Sequence, residues 1–143
     1  MANPPDMLLQ NPFRDHLGYM LRRASNRMMG ELAQRLDGVG LKISEASILL
    51  LVEANPRMTQ SELGRMLNIK RANMVPLAAG LERRKLVDRE QVDGRSHGLV
   101  ITEAGKAACD AARPIMASQE DRIVHLLGGD DEAARAALHA LLT

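Results

Sequence analysis

The chain has 143 residues, a formal net charge of +1, 45% hydrophobic side chains, and only one Phe and one Tyr. That length suits one domain, or one domain with an added dimerisation layer. The single Cys109 excludes an internal disulfide and fits a reducing compartment. No apolar run reaches the roughly 18 residues of a membrane span, and the proline-broken start lacks the basic-then-apolar order of a signal peptide, so a cytoplasmic protein is expected.

Residues 1–10 read as a flexible arm. Asn11-Pro12 has the form of a helix start, a cap residue followed by proline at the first helical position. Phe13, Leu17, Met20, Leu21, Ala24, Met28, Leu32 and Leu36 follow at spacings of three and four, which predicts one long amphipathic helix closed by Asp37-Gly38-Val39-Gly40. Such a helix is too long to pack on one short module and asks for a partner helix, in cis or from a second subunit. Ser44 is expected to cap a second helix from Glu45 to about Ala54. Its run Ile48-Leu49-Leu50-Leu51-Val52 is apolar nearly all round and therefore central. Asn55-Pro56 ends it.

The next stretch carries the strongest signal. Thr59 and Glu62 have the spacing of a capping box, and Met58 with Leu63 that of a hydrophobic staple. Leu63, Met66 and Leu67 mark one buried face, and Asn68 suits a left-handed stop. A second pattern begins at Lys70 or Arg71, with Met74, Leu77, Ala78 and Leu81 on one stripe, and reaches Leu86. Leu86-Val87-Asp88-Arg89 and Gly98-Leu99-Val100-Ile101 read as strands, joined through Asp93-Gly94. Helix, tight turn, helix, hairpin is the order of a winged helix-turn-helix, so DNA binding is the first hypothesis. The fold class expected is mostly α with a small β hairpin.

Thr102 is expected to cap a further long helix, with Ala104, Ala107, Ala108, Ala111, Ala112, Ile115 and Met116 inward and a kink at Pro114. The pattern resumes at Ile123, Val124, Leu126 and Leu127 and stops at Gly128-Gly129. Asp130 then caps a last helix, Asp131 to Leu142, with Ala134, Ala137, Leu138 and Leu141 in line.

Between residues 70 and 97 seven basic side chains face four acidic ones, which leaves the rest of the chain slightly acidic. That asymmetry suits a DNA-reading module on a near-neutral scaffold. On the second helix of the motif, Ala72, Pro76, Ala79, Gly80 and Arg83 point outward. Small residues there would let the backbone approach a major groove closely; the alternative is that this face packs on the protein's own core. Lys70, Arg71 and Asn73 lie at the leading end, where base edges are read, Arg suiting guanine and Asn adenine. Pro76 implies a kink or a regular helix that starts late, near Ala72 or Asn73. In the hairpin loop, Arg95 suits insertion into the minor groove, with Asp93 orienting it by a charge-assisted bond; the alternative is an ordinary solvated turn. Thr59, Gln60 and His97 complete the candidate DNA contacts.

The stretch TQSELGRMLNIKRANMVPLAAGLERRKLVDR, followed by DGRSHGLVITEAG, resembles the MarR family of bacterial winged-helix regulators. The resemblance covers nearly the whole chain. It implies a DNA-binding lobe over residues 41–102, and homodimerisation through helices at 11–38 and 103–143. It also implies repression at palindromic operators, with release by a small ligand such as an aromatic acid or an acyl thioester. Asp93 and Arg95 match the family's wing element, and the helix 70–86 matches its recognition helix. Pro76 stands where the family commonly has a polar or basic residue, and Lys70 where a serine cap is frequent. The family's ligand pocket is lined by the first helix, which makes His16, Tyr19, Met20, Arg22 and Arg23 the candidates; the alternative is that the charged ones are solvated and Tyr19 is core.

Cys109 among alanines is expected to be buried rather than redox-active. His16, His97, His125 and His139 have no paired spacing, so no metal is expected, and no cofactor either. Gly38-Val39-Gly40 lacks the strand and helix context of a dinucleotide loop. With no nucleophile–base pair or carboxylate dyad in view, an enzyme is not expected. Two other classes stay open: a winged-helix protein-interaction module, and a ligandless architectural DNA binder.

Overall fold

The longest apolar run of the sequence forms the centre of the core. In the computed structural model, which describes residues 10–143, Ile48, Leu49 and Val52 are completely buried. The element order is α1 (Leu17–Asp37), α2 (Ile43–Ala54), β1 (Met58–Thr59), α3 (Gln60–Leu67), α4 (Arg71–Arg83), β2 (Val87–Gln91), β3 (His97–Ile101), α5 (Glu103–Leu126) and α6 (Glu132–Leu142). The expected class holds, mostly helix with a small antiparallel sheet. The arm expected over residues 1–10 lies, Gln10 apart, outside the described residues. The chain divides into two units, residues up to Glu31 and residues from Leu32 onward.

In the first unit Asn11-Pro12 does not begin a helix. The Asn11 side-chain oxygen accepts the Phe13 N–H at 3.0 Å, and the Arg14 and His16 amides bond to the Asn11 and Phe13 carbonyls. An asparagine that satisfies nearby amides in this way favours a turn over a helix. Helix α1 therefore begins at Leu17. Its apolar stripe is exposed at Leu17, Met20 and Leu21, as is Phe13 before it.

In the second unit the stripe of α1 enters the core at Leu32 and Leu36. Ser44 does not cap α2. The helix starts one residue earlier than Ser44, at Ile43, because the Glu45 carboxylate reaches back to the Lys42 N–H at 2.9 Å and makes Lys42 the cap position. The core is completed by Leu63 of α3, Met74, Ala78 and Leu81 of α4, Val87 and Leu99 of the sheet, and Cys109 and Ala112 of α5.

The sheet has a third strand that periodicity did not predict. Met58 and Thr59 pair with Leu99 and Gly98, giving the order β1-β3-β2. Gly98 makes this pairing possible, since a Cβ there would stand 2.1 Å from the Arg57 carbonyl oxygen. The hairpin strands are longer than expected and in register from Val87↔Ile101 to Gln91↔His97.

Thr102 caps α5 as expected. Its hydroxyl accepts the Gly105 N–H at 3.0 Å and donates to the Lys85 carbonyl at 2.7 Å, which ties the helix start to the chain leaving α4. The buried face of α5 is Gly105, Cys109 and Ala112, with Ala108, Ile115 and Met116 half-buried; Ala104, Ala107 and Ala111 are exposed, contrary to expectation. The alanines that recur through the first half of α5 give little contrast for periodicity to read. Helix α5 runs through Pro114 to Leu126 as one element. The Gly128-Gly129 break is present, both residues at a φ of +82°. Asp131 rather than Asp130 is the cap position of α6, and its carboxylate pairs with Arg135 one turn on. That pairing holds the Asp131 carboxyl below its usual range. No residue of α6 is buried. No helix among the described residues is long and apolar enough to cross a membrane.

Cys109 is fully enclosed, and burial, reinforced by the Glu53 carboxylate, pushes its thiol pKa up to about 11. Disulfide-exchange reagents at pH 8 should leave it unlabelled until the protein unfolds; rapid labelling of the folded protein would contradict the enclosed position. Gly98→Ala should cost about 1–3 kcal/mol in urea unfolding, because backbone must move to admit the methyl group. An unchanged midpoint would show that the β1–β3 approach is looser than this geometry.

Candidate nucleic-acid interface

Helix α3 starts where Thr59 and Glu62 satisfy each other's amides. The Glu62 carboxylate accepts the Thr59 N–H at 2.8 Å, and the Thr59 hydroxyl accepts the Glu62 N–H at 3.3 Å. These bonds from Thr59 hold the Glu62 carboxyl below its usual range. The helix ends at Asn68 in the left-handed conformation, φ +52°, and the Ile69 N–H closes the turn on the Gly64 carbonyl at 2.9 Å. Of the expected buried face, Leu63 is buried and Leu67 half-buried, but Met66 is exposed. Leu67, four residues on from Leu63, takes the core side, which leaves Met66 turned outward.

Helix α4 begins at Arg71, with the Asn73 and Met74 amides bonded to the Lys70 carbonyl at 2.9 and 3.0 Å. Pro76 therefore does not delay the helix, contrary to one of the two expectations. The bond it deletes is that of the Ala72 carbonyl, and Ala72 is exposed, so water can take the donor's place. The helix ends at Arg83 and not at Leu86, because Lys85 takes a left-handed backbone, φ +57°. Met74, Ala78 and Leu81 are buried, while Ala72, Pro76, Ala79 and Arg83 are exposed and Gly80 half-buried. The small face does not pack on this unit's own core. Val75, 46% exposed, joins it.

Between α3 and α4 lies an open recess of about 500 Å³, lined by Gln60, Ser61, Arg65, Lys70, Arg71 and Val75 among others. Ser61 and Arg65 were not singled out from sequence. Their spacing of four on the side of α3 away from Leu63 is the signal that would have found them.

The wing is the loop between β2 and β3. The Val92 N–H bonds the Ser96 carbonyl at 2.9 Å. Asp93 accepts the backbone amides of Arg95 and Ser96 at 2.9 and 2.8 Å, and these bonds hold its carboxyl below the usual range. Asp93 thus shapes the turn through backbone and does not orient the Arg95 guanidinium, which corrects the expected charge-assisted bond. A short carboxylate two residues from an amide finds the backbone before it finds a long side chain. His97 is exposed at the first position of β3, opposite Gln91.

The cations of this region divide into two sets. Arg84 is bound to Glu45 at 3.2 Å and to the Gly40 carbonyl at 2.8 Å, and Arg89 to Glu82 at 2.7 Å. Lys70, Arg71, Arg83, Lys85 and Arg95 are exposed and make no ion pair among the described residues.

In the first unit Tyr19 is half-buried, its hydroxyl accepting the Asn11 side-chain N–H at 2.8 Å. The guanidinium groups of Arg22 and Arg23 lie 5.7 and 5.8 Å from the centre of its ring. The Asn11 bond, with help from Arg23 and Arg22, lowers the phenol pKa below its usual value. A recess of about 480 Å³ is lined by Phe13, His16, Gly18, Tyr19 and Arg22. Met20 is exposed and is not among its lining residues, and Phe13, which sequence reasoning passed over, is. Among the described residues no cluster of His, Cys, Asp or Glu could hold a metal.

The sequence model of the MarR family matches residues 39–96. The solved structure of the transcriptional repressor CouR bound to p-coumaroyl-CoA is 34% identical, with 94% of this chain and 96% of that chain covered and a TM-score of 0.81. The chain belongs to the MarR family. It is a winged-helix DNA-binding transcriptional repressor, and regulators of this family are not enzymes. CouR bound to a 23-mer DNA duplex is also 34% identical, with coverages of 94% and 99% and a TM-score of 0.80. The MepR–DNA complex of S. aureus, 24% identical over 88% of this chain and 95% of that chain, shares the fold at a TM-score of 0.80. No curated protein matches.

Within this MarR-family fold the DNA candidates fall on three neighbouring pieces of the second unit. Thr59 and Gln60 open α3, Lys70 to Arg83 span α4, and Asp93, Arg95 and His97 belong to the wing. The ligand candidates His16, Tyr19 and Arg22 share one recess in the first unit, with Arg23 against Tyr19.

Because the folded Asp93 carboxyl titrates below its ordinary value, the stabilisation of the wing turn is complete above the usual carboxylate range and is lost as pH falls through the folded value. In an NMR titration the Arg95 and Ser96 amides should report a carboxyl with that lowered pKa, and Asp93→Ala should abolish the transition. A midpoint at or above the ordinary value would show that the turn is not held this way.

Proposed function

We propose that this repressor works in the cytoplasm as a homodimer on a palindromic operator and is released by a small aromatic acid or acyl thioester. The lobe 41–102 is the DNA reader, and the helices within 11–38 and 103–143 form the dimer. In support of the dimer, Leu126, Leu127, Leu138, Leu141 and Leu142 leave apolar area in water that a second subunit would cover. The recognition helices enter successive major grooves. Lys70, Arg71 and Asn73 meet base edges, the small face at Ala72 and Pro76 admits the backbone close to the groove, and Thr59, Gln60 and Arg83 bond phosphates. Arg95 reaches the flanking minor groove, Asp93 shapes its turn, and His97 faces the backbone beside it. The observation that carries this reading is the set of unpaired cations on α4 and the wing, in a chain 34% identical to a repressor solved on DNA.

For the effector, the supporting facts are the Tyr19 recess with Arg22 and His16, and the p-coumaroyl-CoA bound in CouR. An arginine or histidine holds an anionic group while the aromatic walls take a ring. Met20 and Arg23 flank the site. Ligand release of DNA follows only if the ligand binds the two conformations with different affinity.

Arg95→Ala should weaken binding to a duplex selected by the wild-type protein by about 1–3 kcal/mol and reduce its salt dependence. Unchanged affinity would remove the wing from the interface. Absence of any salt-dependent DNA binding by the wild type would favour a protein-interaction role instead. In the same anisotropy assay p-coumaroyl-CoA should lower DNA affinity, and Arg22→Ala should blunt that response while leaving unliganded binding intact. A full response from Arg22→Ala would take Arg22 out of the ligand site.

A further inference from the structure

Arg57 is an exposed arginine on the turn between α2 and β1 with a left-handed backbone, φ +71°, that L side chains rarely adopt. Its backbone and side chain serve the sheet in different places. The Arg57 N–H donates to the Leu99 carbonyl of β3 at 2.9 Å. Its guanidinium donates through Nη2 to the Gln91 carbonyl at 2.7 Å. Gln91 is the last residue of β2, opposite His97, and the loop that carries Asp93 and Arg95 starts directly after it. Strands β1 and β2 flank β3 and do not pair with each other. Arg57 therefore links the two outer parts of the sheet at the base of the wing.

We propose that Arg57 is a positioning residue for DNA binding: its guanidinium latches the base of the wing at Gln91 and so sets where Arg95 is presented. This rests on the reading of Arg95 as a DNA contact. The wing is otherwise a two-stranded projection with exposed residues from Asp88 to Arg95, and such a ribbon twists and bends readily. A charge-assisted bond from a residue outside the hairpin restricts that bending without touching the loop itself. Arg57 holds this left-handed backbone while its N–H pairs with Leu99 and its carbonyl passes Gly98 at backbone contact distance.

The test is a double-mutant cycle with Arg57→Gly, Arg95→Ala and the double variant, measured by fluorescence anisotropy on a duplex selected from a random library by the wild-type protein. Glycine adopts the left-handed backbone without strain, so the variant removes the latch and leaves the turn. Arg57→Asn, which also tolerates that conformation, is the second variant if thermal melting shows the glycine form to be loosened. Each single change is expected to weaken binding about tenfold and to lower the salt slope by about one. The double variant is expected to bind no more weakly than Arg95→Ala and to keep its slope. A double variant weakened by the product, about a hundredfold, with a slope lowered by two, would make Arg57 an independent phosphate contact and overturn the proposal. A silent Arg57→Gly beside an impaired Arg95→Ala would also overturn it while the wing reading stands. A silent Arg95→Ala would sink the wing reading and the latch together.

Discussion

Backbone-to-backbone contact at Gly98 is the constraint on which the winged module depends. With no side chain at that position, β1 can lie against β3, and the two residues of β1 then do work out of proportion to their number. Thr59 pairs with Gly98 and also caps α3, so the sheet and the first helix of the motif share one residue. Arg57, immediately before the strand, has a left-handed backbone and holds the base of the wing through its guanidinium. The relative placement of α3 and the hairpin within the second unit follows from these few residues. Gly105 plays a related part at the other end of β3, where a Cβ would stand 2.0 Å from the Leu86 carbonyl oxygen.

The arginines show how one residue type is divided between scaffold and surface. Arg84 joins the start of α2 to the end of α4, Arg89 ties the hairpin to α4, and Arg113 joins α5 to Glu53 of α2 as well as to Asp110. The paired carboxylates raise the Arg113 pKa further above its already high value. Exposed pairs of this kind contribute little to stability, so their service is to orient elements more than to stabilise the fold. What remains unpaired on α4 and the wing is a small positive field on a chain of net charge +1. Such a protein is steered to DNA by a local patch and not by its overall charge.

Local signals were legible wherever the physical cause lies within a few residues. The capping box at Thr59, the left-handed Asn68, the Thr102 cap and the glycine break at residues 128–129 all hold, because each is a bond or a dihedral decided by its immediate neighbours. The sequence went astray where two local solutions compete. Asn11 could cap a helix or close a turn, and it closes a turn. Ser44 could cap α2, but Glu45 reaches back to Lys42 and moves the start. Asp93 could hold a guanidinium or two amides, and it holds the amides. In α5 the alanines gave no contrast, so the buried face had to come from packing.

By itself the sequence determined the order of the helices and the hairpin, the winged helix-turn-helix class and the small outward face of α4. These depend on apolar spacing and turn chemistry, which are properties of the chain read in one dimension. Only the tertiary structure decided that β1 exists, that Arg57 meets Gln91 across 34 residues of chain, and which cations are left unpaired. Such contacts carry no periodicity, since they depend on how closely two backbones approach, and at Gly98 that approach is set by the absence of a side chain.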